Sequence, residues 1–180
     1  VRVLDKNGSV PPDMVRVQGA ATVIGKLGDF YIDRYEVTNK QYKEFINSGG
    51  YRKKEYWENK FIKDGRELTW EEAVGEFVDE TDQPGPARWQ AADYPEGQAD
   101  YPVSGISWYE AAAYAEYAGK SLPTGDHWAM ARGQYTPMIQ VFQLGGNAIF
   151  APFSNFQGKG PAPVGSLPGV TAYGAFAMPG

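Results

Sequence analysis

Hydrophobic and polar positions alternate in two early segments of this chain, MVRVQGAATVIG at 14–25 and DFYIDRYEV at 29–37. Both are rich in β-branched and aromatic residues, so the period of two predicts strands, paired across a turn at 25–28. Ahead of them, residues 1–13 hold one short alternating run, then Asn7-Gly8 and a Pro-Pro pair. That stretch reads as a linker or edge hairpin, with the domain itself over 14–180.

The pattern then changes to a helical period, and the same local chemistry opens each helix. Thr38 with Gln41, Thr69 with Glu72 and Ser107 with Glu110 each match the reciprocal capping box, in which a hydroxyl and a longer side chain satisfy two orphan backbone donors. Behind them lie apolar stripes: Tyr42, Phe45 and Ile46; Trp70, Val74, Phe77 and Val78; and AAAYAEYAG, closed by Gly119. Thr124 opens a fourth, shorter helix over 125–132, with Trp128 and Met130 or Ala131 turned to the core and Gly133 at its end. Pro123 keeps Leu122 extended, which places His127 in the first turn.

Between the second and third helices, residues 82–105 show little periodicity. A loop of that length is functional or disordered, and Trp89, Tyr94 and Tyr101 argue for one held by packed rings. Further on, 138–147 predicts a strand and 150–169 is mostly loop.

Composition narrows the class. The chain has 180 residues, 42% of them hydrophobic, with no long apolar run. Its mean hydropathy is -0.48, so no membrane-spanning helix is expected. Aromatics make up 14%, with 12 Tyr and 5 Trp beside 22 Gly and 13 Pro, the mixture of short elements joined by long, ring-pinned loops. Net charge is -5, and the only basic cluster, Arg52-Lys53-Lys54, is broken at once by Glu55. Neither nucleic acid nor a membrane surface is an expected partner, because each needs a broader positive face. Cysteine is absent and histidine occurs once, which removes disulfides, thiol nucleophiles and His- or Cys-rich zinc sites. No basic, apolar leader is visible, and Val1 in first place suggests part of a larger chain.

Three blocks resemble a known family: FYIDRYEVTNKQYKEFINSGGY at 30–51, YPVSGISWYEAAAYAEYAGKSLPT at 101–124 and SNFQGKGPAPVGSLPG at 154–169. They look like the successive blocks of the formylglycine-generating-enzyme, or sulfatase-modifying-factor, domain, over 14–180. The segment 51–89 is similar to the version found beside protein kinase domains in multidomain bacterial proteins. The resemblance implies an α+β, C-type lectin-like fold: a twisted antiparallel sheet, two main helices starting near Asn39 and Trp108, and a high loop content. Catalytic members oxidise a sulfatase cysteine with oxygen and a copper held by two cysteines. This sequence has none, so copper is not expected in it. Its last residues, AYGAFAMPG, resemble the segment before the family's Asn-x-x-Glu-Trp block, with Ala177 where aspartate is usual. The domain is accordingly expected to be incomplete at its C-terminus. Calcium is possible at Asn155 and Phe156, which match the start of a family site, although the segment after them lacks its usual acidic partner.

Function follows as three expectations. The first is a non-catalytic or incomplete domain that binds a protein or small molecule; the second is a fragment of a copper- and oxygen-dependent formylglycine-generating oxidase. The third is a retroelement-diversified C-type-lectin-like binding protein. Arg88, Trp89 and Tyr94 in the long loop, with Tyr51 and Trp57, are the candidate recognition residues, because aromatic rings and arginine dominate binding hot spots. His127 and Trp128 are assigned to packing. Asp33 and Glu36 face opposite sides of a strand and form no acid/base pair, and Lys53-Lys54-Glu55 is read as a solvated face. If core strands belong to a following segment, apolar sheet is left uncovered here. A longer stretch of the parent should then melt at higher temperature than these 180 residues, and an equally high, sharp transition in the shorter form counts against that expectation.

Overall fold

In the computed structural model, which describes residues 1–3, 9–22, 25–133, 155, 158 and 160–178, the alternating segments become short strands and the capped segments short helices. In chain order these are β1 (Arg2–Val3), β2 (Met14–Val17), β3 (Ala21–Thr22), β4 (Gly25–Lys26), β5 (Phe30–Asp33), α1 (Asn39–Asn47), β6 (Phe61–Lys63), β7 (Arg66–Leu68), α2 (Trp70–Val74), α3 (Trp108–Tyr117) and α4 (Gly125–Ala131). This is a mixed α and β architecture of small sheets and few helices. It divides into two compact units, Val1–Glu36 with Pro123–Gly180, and Val37–Leu122.

In the first unit β5 is the centre of an antiparallel sheet of order β1-β5-β2, with Val15 opposite Ile32 and Val17 opposite Phe30. Those four side chains are buried with Met130 and Ala131 of α4 and with Ala175. The two early segments do pair, but the chain between them folds into its own hairpin, β3 against β4. Gly19 makes this possible: a Cβ there would lie 2.3 Å from the carbonyl oxygen of Leu27, an approach only glycine allows. Trp128 does not turn to the core as its place in the helix predicts. Ala129, Met130 and Ala131 take the buried arc of α4, while Trp128 is 40% exposed. Its ring is covered from outside by Arg132, one turn on, whose guanidinium lies 5.0 Å from the ring centroid.

The second unit is built on rings. Tyr42 and Phe45 of α1 have no exposed surface, and with Tyr51, Trp57, Phe61 and Trp89 they form a core against Ala113 of α3. Tyr42 packs 5.4 Å from Tyr114, Trp57 stacks on Phe77 at 5.6 Å, and Phe61 meets Tyr109 at 4.9 Å. Such pairs contribute about 0.5–1.5 kcal/mol each beyond their burial. Gly50 follows α1 where a Cβ would meet the Phe45 ring at 2.3 Å, so the ring fills the space a side chain would take. The caps form at Thr38, Thr69 and Ser107 with both hydrogen bonds of the box in place. Helix α2 is shorter than its apolar stripe predicts: it ends at Val74 with Gly75 as its cap, a residue that disfavours continuation. Phe77 and Val78 then leave the helix, Phe77 to cover Trp57 and Val78 to bridge Pro84.

The long loop is ordered around one buried carboxylate. Asp79 Oδ1 accepts from the Thr81 and Gln83 amides and the Thr81 hydroxyl at 2.7–3.0 Å, and Oδ2 accepts from the Ala92 amide at 2.6 Å. Burial raises its pKa, but the hydrogen bonds from Thr81, Ala92 and Gln83 outweigh that, and the net shift is downward. The carboxylate closes a tight hairpin: Gln90 and Asp93 exchange both backbone hydrogen bonds around Ala91 and Ala92, which have φ of 52° and 56°. Two successive left-handed residues make a type I′ turn, ordinarily the place of Asn-Gly. Replacing Ala91 by Asn, which tolerates the left-handed region better, and Ala92 by Gly, which has no Cβ, keeps both amide donors and relieves the strain. We expect the double variant to be more stable by about 1 kcal/mol; urea unfolding checks it, and a lower midpoint contradicts the strain.

Candidate functional site

Helix α3 delivers a carboxylate into the ring-built core. Its cap, Ser107, donates its backbone amide to Glu110 Oε2 at 2.6 Å, and the Glu110 amide donates back to the Ser107 hydroxyl at 3.2 Å. The other carboxylate oxygen is unused by the cap and accepts the Tyr51 hydroxyl at 2.5 Å, and that hydroxyl lies 3.1 Å from the Tyr42 hydroxyl. Glu110 is 3% exposed. Burial raises its pKa against the opposing hydrogen bonds from Ser107 and Tyr51. Burial is also the first cause that pushes both phenols far above their ordinary value, with the nearby carboxylate adding to it. Neither tyrosine ionises near neutrality, so the trio is a buried proton-sharing chain and not a nucleophile.

Against this core the candidate recognition residues separate into two sets. Trp89, Tyr51 and Trp57 are buried, which corrects their place on a recognition surface: Trp57 donates its indole N–H to the Gly50 carbonyl, Tyr51 serves Glu110, and Trp89 packs edge-on to Tyr42. Large rings that find both a partner for the polar atom and a packed face are more stable inside. Tyr94 is half-buried, edge-on to Trp89 at 5.4 Å. Arg88 is exposed. Its side chain lies over Gly105, where a Cβ would meet its Cγ at 3.1 Å, and the Ala87 amide bonds the Gly105 carbonyl at 2.8 Å.

The exposed apolar surface of this unit lies at residues the pattern did not single out. Trp108, the first residue of α3, is 59% exposed and Ile62 on β6 is 53% exposed. Tyr109 joins them: its ring meets Trp108 at 5.4 Å and its hydroxyl accepts from the Ile62 amide at 3.0 Å. The signal in the sequence was the position of Trp108, directly after a cap, where no preceding turn exists to cover the ring. Lysines and arginines on the neighbouring hairpin are paired, Lys60 with Glu67, Lys63 with Glu76 and Arg66 with Glu72.

In the other unit His127 takes the N3 place of a capping box opened by Thr124. Its Nδ1 lies 2.7 Å from the Thr124 hydroxyl and accepts from the Thr124 amide at 3.3 Å, while its own amide donates to that hydroxyl. The ring packs edge-on to Phe30 at 4.7 Å. Burial lowers its pKa, which favours the neutral imidazole the cap requires. Asn155 donates its amide to the Gly160 carbonyl at 2.8 Å and accepts the Gly158 amide on its own carbonyl; Phe156 and the strand expected over 138–147 lie outside the described residues. Among the described residues no three His, Cys, Asp or Glu side chains gather to hold a metal ion, and no helix is long and apolar enough to cross a membrane.

The sulfatase-modifying factor enzyme 1-like domain matches residues 6–180, and the chain belongs to that family. A hercynine oxygenase from Mycolicibacterium smegmatis is 33% identical over 159 residues, covering 86% of this chain and 36% of that protein. A formylglycine-generating enzyme from Thermomonospora curvata is 33% identical over 134 residues, 69% of this chain and 44% of that protein. The serine/threonine-protein kinase pkn1 of Chlamydia caviae is 30% identical over 155 residues, 86% of this chain and 22% of that protein. The chain thus spans less than half the length of these relatives.

The raised pKa of Glu110 has a signed consequence. Between the ordinary value of 4.5 and the raised folded value, the folded state binds a proton that the unfolded state releases, so stability falls as pH rises across that window and is level above it. Glu110→Gln removes this term. The stability of the variant relative to the native chain should therefore climb with pH through the weakly acidic range. Urea unfolding at a series of pH values reads the difference, and a difference that stays flat or falls contradicts the buried carboxylate.

Proposed function

We propose that this chain is a non-catalytic member of its family that works as a binding module, with a C-type lectin-like scaffold in which α1 and α3 are the two main helices. The observation that carries the reading is chemical. The sequence contains no cysteine and one histidine, and that histidine is committed to a helix cap. This stretch therefore supplies neither thiolates for copper nor a set of imidazoles for another redox metal. What it offers instead is an exposed apolar pair, Trp108 and Ile62, and an exposed arginine, Arg88, which among the described residues has no carboxylate partner. Tryptophan and arginine are the residues most enriched in binding hot spots.

A second reading is favoured by one observation, the similarity over 86% of the chain to a protein named as an oxygenase. On that reading the stretch is the scaffold part of an oxygen-dependent enzyme whose reactive groups lie elsewhere in the protein. Two measurements separate the readings. The isolated chain, and then the whole protein that contains it, are assayed for oxygen uptake with copper or iron and a cysteine-containing peptide. The binding reading expects no uptake from either, and uptake by the whole protein moves the assignment to the second. Peptides selected from a displayed library on the native chain should lose about ten-fold or more in affinity with Trp108→Ala or Arg88→Ala, the scale of a hot-spot truncation. Equal affinity for both variants overturns this surface as the site.

A further inference from the structure

The buried hydroxyl chain in the Val37–Leu122 unit has no role in surface recognition, yet its geometry is specific. A phenol gives up an electron readily only when its proton has a base to go to at the same moment, because the oxidised phenol is a strong acid. Tyr51 has that base in line, Glu110 Oε1 at 2.5 Å. No Lys, Arg or His takes part in the hydrogen bonds of Glu110; the titratable groups facing it are Tyr51 and, through Tyr51, Tyr42. From this pair, rings that can themselves be oxidised continue outward. Tyr51 lies 5.6 Å from Trp57, and Tyr42 lies 5.4 Å from Tyr114 and 6.2 Å from Trp89, which is 5.4 Å from the half-buried Tyr94. Each step is nearly ring-to-ring contact.

We propose that Tyr51 and Glu110 form a redox-active tyrosine site, which takes up an oxidising equivalent from an outer-sphere one-electron oxidant through the Trp89–Tyr42 and Trp57 rings. The balance is simple. Tyr51–OH, the Glu110 carboxylate and the oxidant give the neutral Tyr51 phenoxyl radical, protonated Glu110 and the oxidant reduced by one electron. The electron leaves through the rings, the proton moves along the 2.5 Å hydrogen bond, and no other bond is broken. Burial serves this chemistry by keeping water and external reductants from the radical, and the Tyr42 hydroxyl at 3.1 Å supplies a second hydrogen bond to the phenoxyl oxygen. The proposal is independent of the binding surface, since neither Trp108 nor Arg88 belongs to the chain of hydroxyls.

The test uses the intact chain and a photogenerated ruthenium(III) tris-bipyridine oxidant, with the radical trapped by freezing and observed by electron paramagnetic resonance. The native protein should give a long-lived neutral tyrosyl radical, and its yield should rise as Glu110 ionises. Glu110→Gln, which keeps the size and a hydrogen-bond acceptor for Tyr51 but is not a base, should cut the yield about ten-fold and flatten its pH profile. Tyr51→Phe should remove the long-lived signal while Tyr101→Phe, outside the chain of rings, leaves it in place. Should either core variant fail to fold, the native protein in D2O still decides. Exchangeable deuterons hydrogen-bonded to the phenoxyl oxygen of a buried, rigid radical support the site. A signal without them, a yield independent of pH, or an unchanged signal in Tyr51→Phe overturns it.

Discussion

One carboxylate holds the Val37–Leu122 unit together. Glu110 closes the start of α3 through the Ser107 amide and, with its other oxygen, receives the hydroxyl of Tyr51 from the segment that follows α1. A capping box ordinarily spends its acid at the surface, where it is worth about 1 kcal/mol. Here the same side chain is buried, so both of its oxygens must be satisfied, and the two partners fix where α3 lies relative to α1. The energetic asymmetry is severe: a buried acid with a missing partner costs more than its hydrogen bonds contribute. Tyr42, Tyr51 and the rings around them are thereby held to one arrangement.

The loop that covers Trp89 uses the same device at a second place. Asp79 gathers four donors from a segment with no periodicity and so replaces the hydrogen bonds that a helix or sheet would have supplied. It also holds Ala91 and Ala92 in a backbone conformation that alanine disfavours, and Lys43 of α1 locks the turn from the other side by donating to the Ala92 carbonyl at 2.6 Å. Strain of this kind persists where the surrounding structure over-determines it. The rigid floor thus formed sets Arg88 and Tyr94 at the edge of the core rather than on a floppy excursion.

Membership of the sulfatase-modifying factor enzyme 1-like family joins this scaffold to a protein named as an oxygenase and to one named as a formylglycine-generating enzyme, while this stretch contains no cysteine. The ring-built core, the caps and the anchored loop are made without a cysteine, which the sequence does not contain.

Much of the local structure was legible in the sequence. Four caps, the stripes on α1 and α3 and the alternation of β2 and β5 all follow from chemistry within a few residues of each position, and the family from blocks such as YEVTN and SLPT. The burial of particular rings was not legible in the same way. Trp57 and Trp89 sit inside while Trp108 and Trp128 sit outside, although each of the four has a polar neighbour in sequence. What separates them is whether other segments bring a packed face, as Tyr42 and Tyr94 do for Trp89, and for Trp57 the Gly50 carbonyl adds a partner for the indole. Likewise Glu110 reads from its neighbours as an ordinary cap. Only the approach of Tyr51, a residue from another element, makes it a buried base, because burial and pairing are set by long-range contacts that local pattern does not encode.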